Sequence, residues 1–507
     1  MPGFHVEHFG CRAARADGEA VSDRLRAAGF CERQPFAADL VVVNTCSVTA
    51  EADRAARAFI RRAHRLNPAA RIVVTGCYAQ RAPEELAGLA GVAAVVGNSH
   101  KALAPEIILN LTRESDLTRE SDLTRESDLT RGPGRTASEP PRLVPVASLL
   151  APRAPQFSVS AAQASVSTPI WAPIFADDRF AHSFIEDPHW GETQPAPGAQ
   201  TRPNLKIQEG CGNRCTFCVI PFTRGPSQSL PHAAVMRQVE SFVAAGGNEL
   251  VLSGINLGRW ARDFAGSNRE TLAKLVRAIL EQTALPRLRL SSIEPMDWDD
   301  ELIALMREFG GNRLARHAHL PLQSGSDAVL RRMHRRYRPW HYAGKVAALL
   351  GAAGPDLTFG ADVMVGFPGE TAAEFEETLA FVRALPFGYL HLFPFSARPG
   401  TRGWALHAAD PVAPAAVEER MAALRALAAE KSEAHRKRFV GREIQAITLH
   451  TPAPLAARGS TSALTENFLP VELEGSFAAN RLLRVRVNAL KADGALECVP
   501  ARAAMAQ

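Results

Sequence analysis

Over the first hundred residues, short apolar runs alternate with stretches of helical spacing. FHVEHFG, DLVVVNT, RIVVTG and VAAVVG are β-branched runs bounded by Gly, Asn or Asp, the pattern of buried strands. Between them, EAVSDRLRAAGF, EADRAARAFIRRAHRLN and APEELAGLA repeat their apolar positions every three or four residues, the period of a helix. Strands and helices alternating in this way predict a parallel sheet with crossover helices.

The alternation resumes from about residue 201 to 400. NLKIQEG, ELVLSGI, RLRLSSI, HAHLPLQ, LTFGADVMVGF and GYLHLFPF are six candidate strands, separated by helices such as AAVMRQVESFVAAG, TLAKLVRAILEQ and AAEFEETLAFVRAL. Six such units predict an open, partial relative of the eight-unit barrel. A charged helix, VEERMAALRALAAEKSEAHRKRFVG, leads into IQAITLH, FLPVELE and LLRVRVNAL, short strands with polar turns that predict a small β-barrel. The expected class is therefore α/β. It comprises a parallel-sheet, Rossmann-like region at 1–107, a partial (β/α)6 barrel at 201–435 and a small barrel at 436–504.

Composition alters this picture in one place. From 108 to 200 the chain runs LTRESD three times from Leu111 to Asp128, then becomes rich in Pro, Ala and Ser. A six-residue period fits neither helix nor strand, so this segment is expected to be a mostly disordered insertion. A partner-binding tail or a β-helix coil is the alternative. Over the whole chain of 507 residues, 46% hydrophobic and 22% charged residues are ordinary for a soluble protein. With no apolar run long enough for a membrane span and no basic-then-apolar leader, a cytoplasmic location is expected. The net charge of +5 permits nucleic-acid binding without requiring it.

Eight cysteines in such a chain point to metal ligation or catalysis rather than a disulfide framework. Cys211, Cys215 and Cys218 form the C-x3-C-x2-C loop CGNRCTFC, directly after the first strand of the second region. A zinc site usually gathers four ligands, often from separated pairs. Three thiolates on a four-iron cubane leave one iron open for an outside ligand. Cys11, Cys46 and Cys77 each lie at the C-terminal end of a predicted strand of the first sheet. Loops at those ends of a parallel sheet converge on one crevice, so these three thiols are expected to meet. Buried small hydrophobes are the alternative for them. Cys31 and Cys498 fit neither set and are read as structural.

In order along the chain, GCR, NTCSVTAEAD, GCYAQ, IQEGCGNRCTFCVIPFTRGPSQS, ELVLSGINLG, RLSSIEP, HLPLQSGSDAVLRRM, ADVMVGFPGET and FPFSARPGT resemble the radical S-adenosylmethionine methylthiotransferase family. RGPSQS, SGINLG and SSIEP are most similar to its MtaB type, and ALTENFLPVEL resembles a TRAM domain, an RNA-binding β-barrel. The resemblance implies two [4Fe-4S] clusters, one on Cys211, Cys215 and Cys218 that cleaves S-adenosylmethionine, and an auxiliary one on Cys11, Cys46 and Cys77 that handles sulfur. It implies methylthiolation at C2 of N6-threonylcarbamoyladenosine beside the tRNA anticodon, with a second S-adenosylmethionine giving the methyl group. An electron donor and a sulfur source are implied as partners, with no membrane. Sister enzymes acting on isopentenyl-adenosine tRNA or ribosomal protein S12, and a non-catalytic iron–sulfur RNA-binding protein, are the rivals.

On the same resemblance, Gly246, Gly247 and Glu249 take the place of a Gly-rich cofactor strand, and Gln323, Ser324 and Asp362 are expected near the cofactor. No residue is assigned a catalytic role. Glu370 is expected at the start of a helix near Thr371, and HRRYR and HRKR are candidates for phosphate contacts. Phe468 belongs to the small barrel, facing either RNA or the core. Two positions depart from the family pattern near the first cysteine set: Ala14, where Asn is usual, and Asp17, where Glu is common.

Overall fold

The computed structural model describes residues 1–112, 172–180, 201–265 and 270–501. It divides into two compact units, Met1–Pro188 with Val219–Gly225, and His189–Cys218 with Pro226–Gln507.

In the first unit the apolar runs become strands of one parallel sheet: β1 (Gly3–His8), β2 (Cys31–Glu32), β3 (Leu40–Thr45), β4 (Arg71–Gly76), β5 (Val92–Gly97) and β6 (Ile174–Phe175). Their order is β2-β1-β3-β4-β5-β6. β3 is buried along its whole length because both faces of the sheet are covered. Val41 and Val43 enter one core with Ile72 and Val74, while Leu40 and Val42 enter the other with Val73. The helix Ala50–Leu66 starts where the Thr49 side chain accepts a bond from the Ala52 N–H.

β6 lies within 108–200, where the sequence predicts a mostly disordered insertion. Ile174 and Phe175 pair with Val95 and Val96 at the open edge of β5, and Phe175 joins the core. Two apolar residues satisfying a free sheet edge are too short a signal to stand out from a Pro-rich stretch. The helix running into Leu111 and Thr112 likewise extends beyond 107. The remainder of the LTRESD repeat lies outside the described residues.

The second unit carries six parallel strands: β7 (Asn204–Glu209), β9 (Glu249–Gly254), β10 (Arg287–Leu290), β11 (His317–His319), β12 (Thr358–Val365) and β13 (Phe387–Pro394), with the short β8 (Gln228–Ser229) antiparallel to β7. The ladder is continuous from β7 to β10 and from β11 to β13; a parallel bridge between Leu288 and Leu314 spans the gap. Helices cover the outside, and one large core includes Leu250, Leu252, Leu275, Val363 and Phe359.

A closed barrel follows: β14 (Glu443–Thr448), β15 (Ser460–Thr465), β16 (Pro470–Glu474), β17 (Leu482–Leu490) and β18 (Leu496–Pro500). Three of its strands are legible in the sequence; STSALT is rich in small polar residues and LECVP ends on proline, so neither stands out from the turns around it. Among the described residues no helix is long and apolar enough to cross a membrane.

Candidate functional site

Parallel strands point all their C-terminal ends one way, and the cysteines use this. In the first unit Cys11 follows β1, Cys46 follows β3 and Cys77 follows β4, three neighbouring strands. The chain is shaped to bring them close. Gly10 has φ +133°, and a Cβ there would stand 2.8 Å from the Cys46 Cβ. Gly76 has φ +99°, and a Cβ there would strike the Thr45 carbonyl at 2.3 Å, so only glycine turns β4 into the helix that begins at Cys77. The Cys46 thiol is pushed up to about 12 by burial and then by the neighbouring charges of Cys77 and Cys11. A buried thiol with two further thiols beside it is what a cationic metal group relieves, so the donor set fits an iron–sulfur cluster.

Cys77 has polar company. Arg224 donates from Nε to its Sγ at 3.2 Å, and Asn98 donates from Nδ2 at 3.4 Å. Arg224 also meets Asp17 at 3.2 Å, and Lys101 meets the same carboxylate at 3.1 Å. Asp17 thus anchors two cations beside the cysteine set despite being one methylene shorter than the family's usual Glu.

In the second unit Cys211, Cys215 and Cys218 occupy the loop after β7. Gln208 pins its root, donating to the carbonyls of Glu209 and Gly210 and to Ser227. Burial raises the Cys211 thiol, against donors that favour its charged form: the Asn213 N–H at 3.4 Å and Asn256 Nδ2 at 3.5 Å. Arg335 donates to Cys215 Sγ at 3.3 Å and pairs with Glu294 at 2.5 Å. Donors aimed at sulfur support thiolate ligands, so this loop too fits a cluster. Beside it lies a cavity of about 430 Å³ lined by Gly212, Asn213, Cys215, Glu294 and five arginines, including Arg259 and Arg336. HRRYR therefore borders the cysteine loop, whereas HRKR is divided, with His435 buried and Lys437 and Arg438 exposed. His435 is buried against Thr358, and Arg438 donates to the Pro355 carbonyl.

The other expected site residues separate. Gly246, Gly247 and Glu249 sit before and at the start of β9, the end away from the cysteine loop, so the structure corrects their assignment to the cofactor. Gly246 (φ +81°) and Gly247 close the helix His232–Ala244, their N–H groups donating to the Val243 and Phe242 carbonyls. Glu249 is fully buried among Arg289, Arg287 and Arg202 at 2.8, 3.1 and 3.2 Å. Burial alone would raise its carboxyl; the three guanidinium groups outweigh this and hold it at about 2. The residue of the SGINLG motif that reaches the cysteine loop is Asn256, just past the C-terminal end of β9: its N–H donates to Gln208 Oε1 and its Nδ2 to Cys211 Sγ.

Ser324 bonds the Thr378 hydroxyl and the Ser326 N–H, an internal loop tie. Gln323, at φ +65°, donates its N–H to the Asp362 carbonyl, and its Oε1 is buried without a hydrogen-bond partner among the described residues. Asp362 faces His391 at 3.2 Å and His319 at 3.5 Å. Burial works to raise its carboxyl, and the two imidazoles hold it well below the usual range. Their ligand atoms lie within 4.8 Å of one another. Rings of His317, Tyr389 and Phe468 continue this column, with His317 and Phe468 centroids 4.6 Å apart. The alternation in HAH and YLH carries these inward positions. Phe468 thus stacks on the strands of the partial barrel. Glu370 pairs with Arg420 at 2.8 Å, while the helix Ala372–Ala384 is capped by Thr371 and Glu374.

Two family models match: Uncharacterized protein family UPF0004 over residues 3–97 and the Radical SAM superfamily over 205–382. The chain is 32% identical to the threonylcarbamoyladenosine tRNA methylthiotransferase MtaB of Bacillus subtilis, covering 93% of this chain and 90% of that protein. It is 33% identical to the MtaB of Treponema pallidum over 96% of this chain and 98% of that one. A tRNA-2-methylthio-N(6)-dimethylallyladenosine synthase of Parafrankia is 30% identical over 88% of this chain and 77% of its own length. Two thiol sets at parallel strand ends, in a chain matched along its length by these enzymes, lead to one conclusion: the chain belongs to the radical S-adenosylmethionine methylthiotransferase family, in its MtaB branch.

Proposed function

We propose that this enzyme methylthiolates C2 of N6-threonylcarbamoyladenosine at position 37 of tRNA. The observation that carries the reading is the second cysteine set. Cys11, Cys46 and Cys77 end three adjacent strands in a chain that also holds the C-x3-C-x2-C loop, which matches sulfur insertion rather than radical generation alone. When bound, the cofactors supply reductive cleavage of S-adenosylmethionine and the sulfur chemistry. The family implies S-adenosylmethionine and one [4Fe-4S] cluster; the auxiliary cluster on Cys11, Cys46 and Cys77 is part of the proposal.

The chain's own residues hold and orient. Asn256 and Arg335 donate to Cys211 and Cys215, fixing the thiolates. The arginine-lined cavity beside that loop suits anionic groups, and RNA is the anion at hand. The inward column of His317, His319, Tyr389 and His391 offers ring faces of the kind that receive an unstacked base. The TRAM-like barrel is assigned to tRNA binding. An electron donor and a sulfur source complete the reaction.

Nucleoside mass spectrometry of tRNA from a deletion strain tests the proposal. The expected result is loss of the methylthio form of threonylcarbamoyladenosine, restored by the intact gene. Its persistence, or loss of the methylthio isopentenyl form instead, overturns it.

A further inference from the structure

We infer that Arg224 is a positioning residue of the Cys11–Cys46–Cys77 site, its guanidinium donating to Cys77 Sγ so as to raise the reduction potential of the cluster held there. The inference rests on the proposed auxiliary cluster and goes beyond it by naming what tunes it.

Arg224 reaches this position by local design. It ends the helix Ile220–Arg224, six residues beyond Cys218, and Gly225 (φ +72°) then turns the chain. A Cβ on Gly225 would lie 2.5 Å from the Phe180 ring, so the turn is packed and the arginine cannot drift far. Asn98 adds a second anchor, donating to the Thr223 carbonyl at 2.8 Å.

Four polar groups meet here with almost no solvent. Arg224 and Asn98 are 0% exposed, Lys101 is 2% and Asp17 is 5%. A buried guanidinium is costly unless paired, and Asp17 pairs both it and Lys101. With Asp17 holding the guanidinium in place, the Arg224 Nε–H is directed at the Cys77 sulfur 3.2 Å away. Asn98 aims a neutral donor at the same atom at 3.4 Å. An electron added to an iron–sulfur cluster spreads onto its thiolate sulfurs, where donors and nearby cations stabilise it. Cys46, by contrast, receives a backbone donor, the Val48 N–H at 3.5 Å. The tuning therefore enters through Cys77.

The test uses the full-length chain, reconstituted anaerobically, with Cys211, Cys215 and Cys218 all changed to Ala so that one site remains. This background is expected to hold about four irons. Potentiometric titration followed by electron paramagnetic resonance reads its midpoint. Arg224→Met is expected to shift the midpoint negative at unchanged iron content. Arg224→Lys, keeping charge with a different donor geometry, is expected to shift it less, and Asn98→Ala to shift it slightly in the same direction. Should Arg224→Met lose iron, the lysine and Asn98 variants decide. Full iron with an unmoved midpoint in the variants overturns the inference and leaves Arg224 as the ion-pair partner of Asp17. A background with no iron overturns the auxiliary-cluster reading, and the inference with it.

Discussion

At the scale of single residues, charge pairing decides where polar groups can be buried, and Glu249 shows it most sharply. Its carboxylate neutralises part of a cluster of three arginines at the start of β9, far along the strand from the cysteine loop. Glu249→Gln leaves those arginines facing one another, and breaking a buried pair of this kind costs roughly 3–5 kcal/mol. The expected outcome is a clear drop in melting temperature with iron content per folded chain unchanged; lost iron with normal stability would restore a cofactor role. The pH dependence follows from the sign of the shift. The folded carboxyl sits at about 2, below its ordinary value of 4.5. Its stabilisation is complete above about pH 4.5 and disappears as pH falls toward 2. Acid melts are expected to lose stability through this window in the wild type and less steeply in Glu249→Gln.

At the scale of elements, strand ends and turns bring the chemistry together. The turn at Gly76 carries Cys77 only because no Cβ intervenes between β4 and the Thr45 carbonyl. Gly76→Ala combines a left-handed backbone with a backbone clash, a cost of at least 1–3 kcal/mol by the usual scale of such strain, about which the iron count is informative. Reconstituted Gly76→Ala is expected to fall from about eight irons toward about four. Unchanged iron in a folded variant would show that the turn tolerates the methyl. The small barrel docks on the opposite ends of the partial-barrel strands. Arg289 donates to the Thr465 and Glu466 carbonyls, Arg316 pairs with Glu466, and the Phe468 ring lies on His317. Phe468, half-buried at φ +67°, is expected to act in docking. Phe468→Ala is predicted to destabilise by about 3 kcal/mol, the low end for losing a buried ring, read by denaturant unfolding. A large loss of tRNA affinity at unchanged stability would place the ring at the RNA instead.

At the scale of the whole molecule, the two cysteine sets belong to different compact units, which makes their contributions separable. Cys215→Ala is expected to abolish cofactor cleavage. Cys77→Ala is expected to leave cleavage intact while ending methylthiolation, each variant keeping about half of the iron. Equal loss of both activities in Cys77→Ala would refute separate roles. The sequence by itself determined the alternating strands and helices, the cysteine spacing and the family, because strand and helix periods and a three-cysteine loop are local signals. Strand order put Cys11, Cys46 and Cys77 on neighbouring ends, as the position of each after its strand implies. Only the tertiary structure decided that Gly246, Gly247 and Glu249 stand at the wrong end of β9, that Ile174 and Phe175 complete the first sheet, and that Arg224 reaches Cys77 from 147 positions away. Those outcomes depend on which strand end a residue occupies and on contacts between distant segments. No window of sequence contains either.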